Sequence, residues 1–218
     1  MITIPEAVEN IVRSSPTLAE GLSRGILNLS AVARAIHGDV ERVAMKEVQE
    51  GAVIMALNRL SRRTRDHEPD QRTFIGSSPG LLVRSNLMEF TFAISESLVS
   101  AQKTLLDRMS GKRELFITIT RGIFETTIIA SRESAPLIDR IFREERELAR
   151  MGGLSSLTVQ LPPGTATAPG VYAFLLRSLA WEGINVVEVV STLNELTIIL
   201  SDGEIDRAFS VIKTAVQA

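Results

Sequence analysis

Two runs rich in β-branched residues, Leu115 to Thr120 and Phe124 to Ala130, are separated only by Arg121-Gly122-Ile123. That spacing is a hairpin signal. A second pair follows: Asn185 to Ser191 and Glu195 to Leu200 flank a short turn around Leu193-Asn194. Each pair is framed in the same way. Phe90 to Ile94 reads as a strand and Leu98 to Met109 as an amphipathic helix before the first pair. Pro136 to Phe142 reads as a helix after it, continuing into Arg143 to Arg150. Around the second pair, Leu157 to Leu161 is a strand and Val171 to Glu182 a helix ended by Gly183. A last helix starts at Asp202 or Gly203 and runs through Ile205, Phe209 and Ile212. The order strand, helix, strand, strand, helix therefore occurs twice, about 65–70 residues apart. The copies share the order of elements and almost no residues.

The chain before these copies has a helical period. Pro5 suits a first helical turn ahead of Val8, Ile11 and Val12, and Ser15-Pro16 starts a second helix that Gly25 ends. Ser30 reads as the cap of a third helix, with Gly38 and Asp39 as punctuation. Val40 to Leu60 is a long apolar-periodic segment interrupted at Gly51. Ser61 to Gly80, with two prolines and two glycines among charged residues, reads as an exposed boundary. The expected division is a helical domain over 1–66, a linker over 67–80, and two modules over 81–150 and 151–218.

Composition narrows the function classes. There is no cysteine, so a disulfide framework, a thiolate nucleophile and Cys-ligated metal sites are excluded. The two histidines, His37 and His67, are isolated and read as ordinary surface residues. No Ser–His–Asp or paired-carboxylate arrangement stands out, so no catalytic residue, metal or cofactor is expected, and the chain reads as no enzyme. A net charge of −2 gives no global attraction to nucleic acid or anionic lipid. No apolar run approaches a membrane span, and the N-terminus does not read as a signal peptide; a cytoplasmic protein is the expectation.

The second copy carries a family resemblance. Ala168 to Val216 contains Pro169-Gly170-Val171 at a helix start and Gly183-Ile184-Asn185 after that helix. Ser191-Thr192 ends the next strand, and Leu196 to Leu200 forms a β-branched one. In order and spacing this resembles the ACT domains of aspartate kinases. The match covers roughly the last 60 residues. The first copy, about Leu82 to Arg146, resembles the family only in element order. No Gly-rich phosphate loop of a kinase is present. Helical periodicity gives an all-α N-terminal domain, and the resemblance implies that two ferredoxin-like βαββαβ modules with antiparallel sheets follow it, an α+β chain. It also implies a small-molecule sensor, often for amino acids, with ligands at interfaces between paired modules and a homodimer or larger assembly. No sixth element is legible after Val216, so the closing strand of the second module is missing or comes from elsewhere in the chain. An open edge of that kind invites side-by-side pairing.

The residues themselves offer a candidate ligand loop at Pro162 to Gly170, with Thr167, Ala168, Pro169, Gly170 and Val171 as its residues and Asn185 and Val186 beside it. Glycine lets backbone approach a ligand, and free amides at Val171 and Tyr172 suit a carboxylate. Turn chemistry explains the same residue types without a ligand, with Asn185 capping the turn after Gly183. At the equivalent place the first copy has Ser95, Glu96 and Ser97, where Glu96 would repel a carboxylate.

Two further readings are open. Ala31 to Ile36, the Gly38 turn and the next helix could form a helix-turn-helix, with Arg59, Arg62, Arg63 and Arg65 against phosphates; this gives a DNA-binding regulator. Residues 1–66 hold nine Lys/Arg and eight Asp/Glu, so a helical bundle with a solvated basic end explains the cluster equally well. The other reading is a regulatory subunit of an amino-acid biosynthetic enzyme. The charged run Arg143 to Glu147 reads as a solvated helix face.

Overall fold

A computed structural model describes residues 2–64, 75–76, 80–112 and 114–217. The chain divides into two compact units, Met1–Asp70 and Gln71–Ala218.

The first unit contains helices α1 (Ile4–Ser14), α2 (Pro16–Ser23), α3 (Leu29–Ala44) and α4 (Glu50–Thr64). Thr3 and Glu6 form a reciprocal capping box at the head of α1. The cap of α3 is Asn28 rather than Ser30: its carboxamide oxygen accepts from the amides of Ser30 and Ala31, both at 3.1 Å. Replacing Asn28 by alanine should lower the melting free energy of this unit by about 1 kcal/mol, measured by urea denaturation. Gly38 and Asp39 do not punctuate; they lie inside α3, because helix-compatible neighbours and burial of Ile36 and Val40 carry the helix through. The break falls at Met45 to Gln49, where Met45 adopts φ 54°, and not at Gly51, which lies inside α4. The bend is fastened from both sides. His37 Nε2 lies 2.7 Å from the Val48 carbonyl, and the Val48 amide donates to Glu41 at 3.0 Å. Val8, Ala33, Val40, Val53 and Leu57, all fully buried, form the core of the unit.

The second unit is a six-stranded antiparallel sheet. Its strands are β1 (Leu81–Ala93), β2 (Ile117–Arg121), β3 (Glu125–Ser131), β4 (Glu147–Gln160), β5 (Glu188–Ser191) and β6 (Glu195–Ser201). The order across the sheet is β2-β3-β1-β4-β6-β5. Helices α5 (Leu98–Met109), α6 (Ala135–Ile141), α7 (Val171–Trp181) and α8 (Ile205–Gln217) complete it.

Two strands are longer than the sequence pattern predicts. Arg150 and its neighbours continue no helix: Glu147 to Arg150 belong to β4, whose alternation there is masked by charged side chains. The boundary expected between 150 and 151 therefore falls inside a strand. β1 likewise begins at Leu81, well before Phe90. The late half of β1, Leu87 to Ala93, pairs with β3. Its early half, Leu81 to Arg84, pairs with the late half of β4, Ser156 to Val159, which in turn pairs with β6. So the strand that closes the C-terminal half comes from before the N-terminal half. Irregularities in the β1–β4 register mark the crossover, where Asn86 (φ 61°) and Gly153 (φ 69°) adopt left-handed backbone.

The two halves repeat in detail. β3 reads Glu-Thr-Thr-Ile-Ile-Ala-Ser and β6 reads Glu-Leu-Thr-Ile-Ile-Leu-Ser, identical at five of seven positions. The expectation that the copies share almost no residues is thus wrong for this strand. The turn before each is closed alike, by Gly122 N–H to Glu125 O at 2.8 Å and by Thr192 N–H to Glu195 O at 2.9 Å. On one face of the sheet α5 and α6 cover Phe90, Phe92 and Ile128, and α7 and α8 cover Leu157, Ile198 and Leu200. The other face carries Leu87, Ile129, Leu154 and Ile199, and among the described residues no helix contributes to that cluster.

Candidate functional site

The loop from β4 to α7 is a tight structure built by its own groups. It is anchored at its start, where the Leu161 amide donates to Asn194 O at 2.7 Å. Gly164 (φ 92°) lets the chain turn into a short 3-10 segment, Thr165–Thr167. The Thr165 hydroxyl, buried, donates to Pro162 O at 2.8 Å, and that of Thr167 to Gly164 O at 3.0 Å. Gly170 (φ 88°) then precedes α7, and no side chain caps the helix. The amides of its first turn, Val171 among them, thus have no intrahelical acceptor.

Ala168, Val171 and Val186 are brought together in one apolar cluster beneath the loop. Thr167, Pro169, Gly170 and Asn185 are exposed. The equivalent loop of the first half is different. There the Ser95 hydroxyl accepts from the Leu98 amide at 3.0 Å and donates to Glu145 Oε2 at 2.5 Å. Its helix start is therefore filled from within. Beyond it lies a cavity of about 230 Å³ lined by Phe92, Asp139, Phe142, Arg143, Glu145, Glu147 and Arg150. Its central cation is already engaged: Arg150 pairs with Asp139 at 2.6 Å and Glu147 at 2.7 Å and stands 4.8 Å over the Phe90 ring.

The basic cluster of the first unit is on the last turns of α4, where Arg59, Arg62 and Arg63 are exposed. Arg63 is also 3.4 Å from Glu9. Arg65 and His67 lie outside the described residues. Since Gly38 is helical, the helix-turn-helix placed there does not exist.

Sequence reading missed three carboxylates on the helix-free face. Glu89 is on β1, Glu125 on β3 and Glu188 on β5. A signal was available: Glu188 interrupts Val-Val-Glu-Val-Val and Glu89 sits between Met88 and Phe90. Burial pushes the Glu188 carboxyl above the ordinary carboxylate range, and the charges of Glu89 and Glu125 push it further. Glu89 is raised by burial and then by Glu125. A carboxyl with a raised folded-state pKa contributes stability below the unfolded value and loses it as pH rises through the folded one. Glu188→Gln should therefore raise the melting temperature at pH 7 by a few degrees. The difference should shrink as pH falls towards 4, which calorimetry across that range would check.

Comparison with solved structures places this architecture. An aspartate kinase from Clostridium acetobutylicum matches with a TM-score of 0.53 at 13% identity, over 65% of this chain and 35% of that one. Over the part that matches, the fold is shared with aspartate kinase regulatory domains. The regulatory subunit of aspartate kinase from Thermus thermophilus matches with a TM-score of 0.52 at 10% identity, over 64% of this chain and 97% of its own. A C-terminal regulatory domain of aspartate kinase from Porphyromonas gingivalis gives 0.50 at 7% identity, over 65% and 99%. The chain thus spans about a third of the Clostridium enzyme and nearly all of the separate regulatory pieces. No family model and no curated protein matches the sequence. Among the described residues no helix is long and apolar enough to cross a membrane.

Proposed function

We propose that the chain is an amino-acid-sensing regulatory protein, without catalytic activity of its own, acting through two paired ACT modules. The observation that carries this reading is the repeated β-α-β-β-α topology with exchanged closing strands, a fold shared with regulatory pieces of aspartate kinases. The ligand loop is Thr167 to Val171 with Asn185 and Val186. Its uncapped helix start supplies amides for a carboxylate. The lack of charged side chains in the loop favours an amino acid with an apolar or hydroxylated side chain. The internal filling by Ser95 and Glu145 leaves the first-half loop without that role. The chain works as a homodimer or larger assembly.

Thermal-shift screening against the twenty amino acids tests the reading. At least one should raise the melting temperature by several degrees at saturating concentration, and Asn185→Ala should reduce that shift. No shift with any of them would overturn the proposal.

A second reading, a separate regulatory subunit of an amino-acid biosynthetic enzyme, is favoured by the near-complete coverage of the Thermus subunit. Reconstitution decides between the two: an added biosynthetic kinase should change its amino-acid sensitivity only if the chain is its subunit.

A further inference from the structure

The helix-free face holds two equivalent rows of side chains. In the first half, Thr118 on β2 stands opposite Ile129 on β3, which stands opposite Glu89 on β1. In the second, Glu188 on β5 stands opposite Ile199 on β6, which stands opposite Ser156 on β4. Each row sets a carboxyl and a hydroxyl on either side of a buried isoleucine. Phe116 beside β2, and Val187 and Val190 at the other edge, pack on the same central cluster, so the sheet curls and its two edges approach. Glu188 consequently faces Glu89 and Glu125 of the other half.

These groups are under-satisfied. Ser156 is 0% exposed, points to this face and has no hydrogen-bond partner for its hydroxyl. The buried Oε2 of Glu89 and the Thr118 hydroxyl have none either. No cation among the described residues forms an ion pair with Glu89, Glu125 or Glu188. Met151, opposite Glu89, is 46% exposed and leaves the face open on that side. Among the described residues no three acidic or histidine groups converge closely enough to hold a metal ion.

We propose that this face binds an aliphatic polyamine, its ammonium groups held by Glu89, Glu125 and Glu188 and its methylenes lying along the partly exposed Met151 and Val190 at the rim of the face. Carboxylates on separate strands with hydrocarbon between them match ammonium groups separated by several methylenes; they do not match one compact ion. The hydroxyls of Ser156 and Thr118 accept the remaining N–H bonds. A ligand seated there bridges the two halves and closes the β5 edge. The site is on the opposite face of the sheet from α7 and independent of the amino-acid loop.

Spermidine with the purified full chain at pH 7.5 and low salt is the test, read by calorimetric titration and melting temperature. Saturable binding is expected, with a melting rise of several degrees. Glu188→Gln and Glu89→Gln should each weaken it roughly tenfold. Glu182→Gln, the same charge change at the end of α7 on the opposite face of the sheet, should leave it unchanged. Absence of binding, an equal effect of magnesium chloride at matched ionic strength, or undiminished affinity in both variants would overturn the proposal. An amino-acid screen that fails while spermidine binds removes the loop reading and leaves this one.

Discussion

Leu154→Ala should lower the unfolding free energy of the second unit by about 3 kcal/mol, with the whole unit melting in one transition. Leu154 is 1% exposed and pairs directly with Leu87, also 1% exposed, at the point where the long strands change neighbours. It packs with Ile129 of the first half and Ile199 of the second, on a face to which no helix among the described residues contributes. The surroundings there are four strands of one sheet, and they collapse poorly into a void, which places the loss in the middle of the range for a buried leucine. Leu87→Ala should cost a similar amount. The double variant should depart from additivity, since the two residues are neighbours. Far-ultraviolet circular dichroism and the fluorescence of Trp181 on α7 should report coincident midpoints. A Leu154→Ala protein whose Trp181 signal melts separately from the rest would contradict a shared core.

The second large effect concerns chain ends. A protein beginning at Ser85 retains every element of both copies as the sequence pattern draws them, yet it lacks the early half of β1. Leu81, Leu82, Val83 and Arg84 pair with Val159, Thr158, Leu157 and Ser156. Their removal turns β4 from an interior strand into an edge over its late half and exposes backbone groups that had partners. Hydrogen exchange should show the late half of β4 and β6 losing protection by a factor of a hundred or more, roughly the loss of two or three net hydrogen bonds with their packing. β2 and β3, nearer in sequence to the cut, should change least. Protection lost first in β2 and β3 would mean that the halves are closed by their own segments.

The legible part of this architecture is the part set by local pattern. Hairpins with Arg121-Gly122 and Leu193-Asn194 at their tips, and the helix between Val171 and Gly183, follow from β-branched runs, turn residues and helical spacing. The illegible part is set by neighbours distant in sequence. Arg150 reads as helical because it comes just after the five charged residues Arg143 to Glu147; its pairing opposite Phe90, with a guanidinium spread over that ring, makes it a strand residue. Gly38 reads as a turn on intrinsic preference alone, and burial on either side overrides it. Glu188 and Glu89 escape notice for a different reason. Single acidic residues within apolar runs have no motif, and only the curl of the sheet brings them face to face. At the proposed ligand loop, Pro169-Gly170-Val171 was visible as a motif, whereas the self-bonding of Thr165 and Thr167 was not.

Asn86 and Gly153 acquire a mechanical meaning from this layout. Each is the pivot of a continuous strand whose two ends serve different halves, and the two pivots lie side by side. Because each strand runs unbroken through its pivot, strain introduced at either one falls on strand ends in both halves. A residue that resists left-handed backbone at Gly153 should therefore destabilise the two halves together, as a single melting transition shifted down.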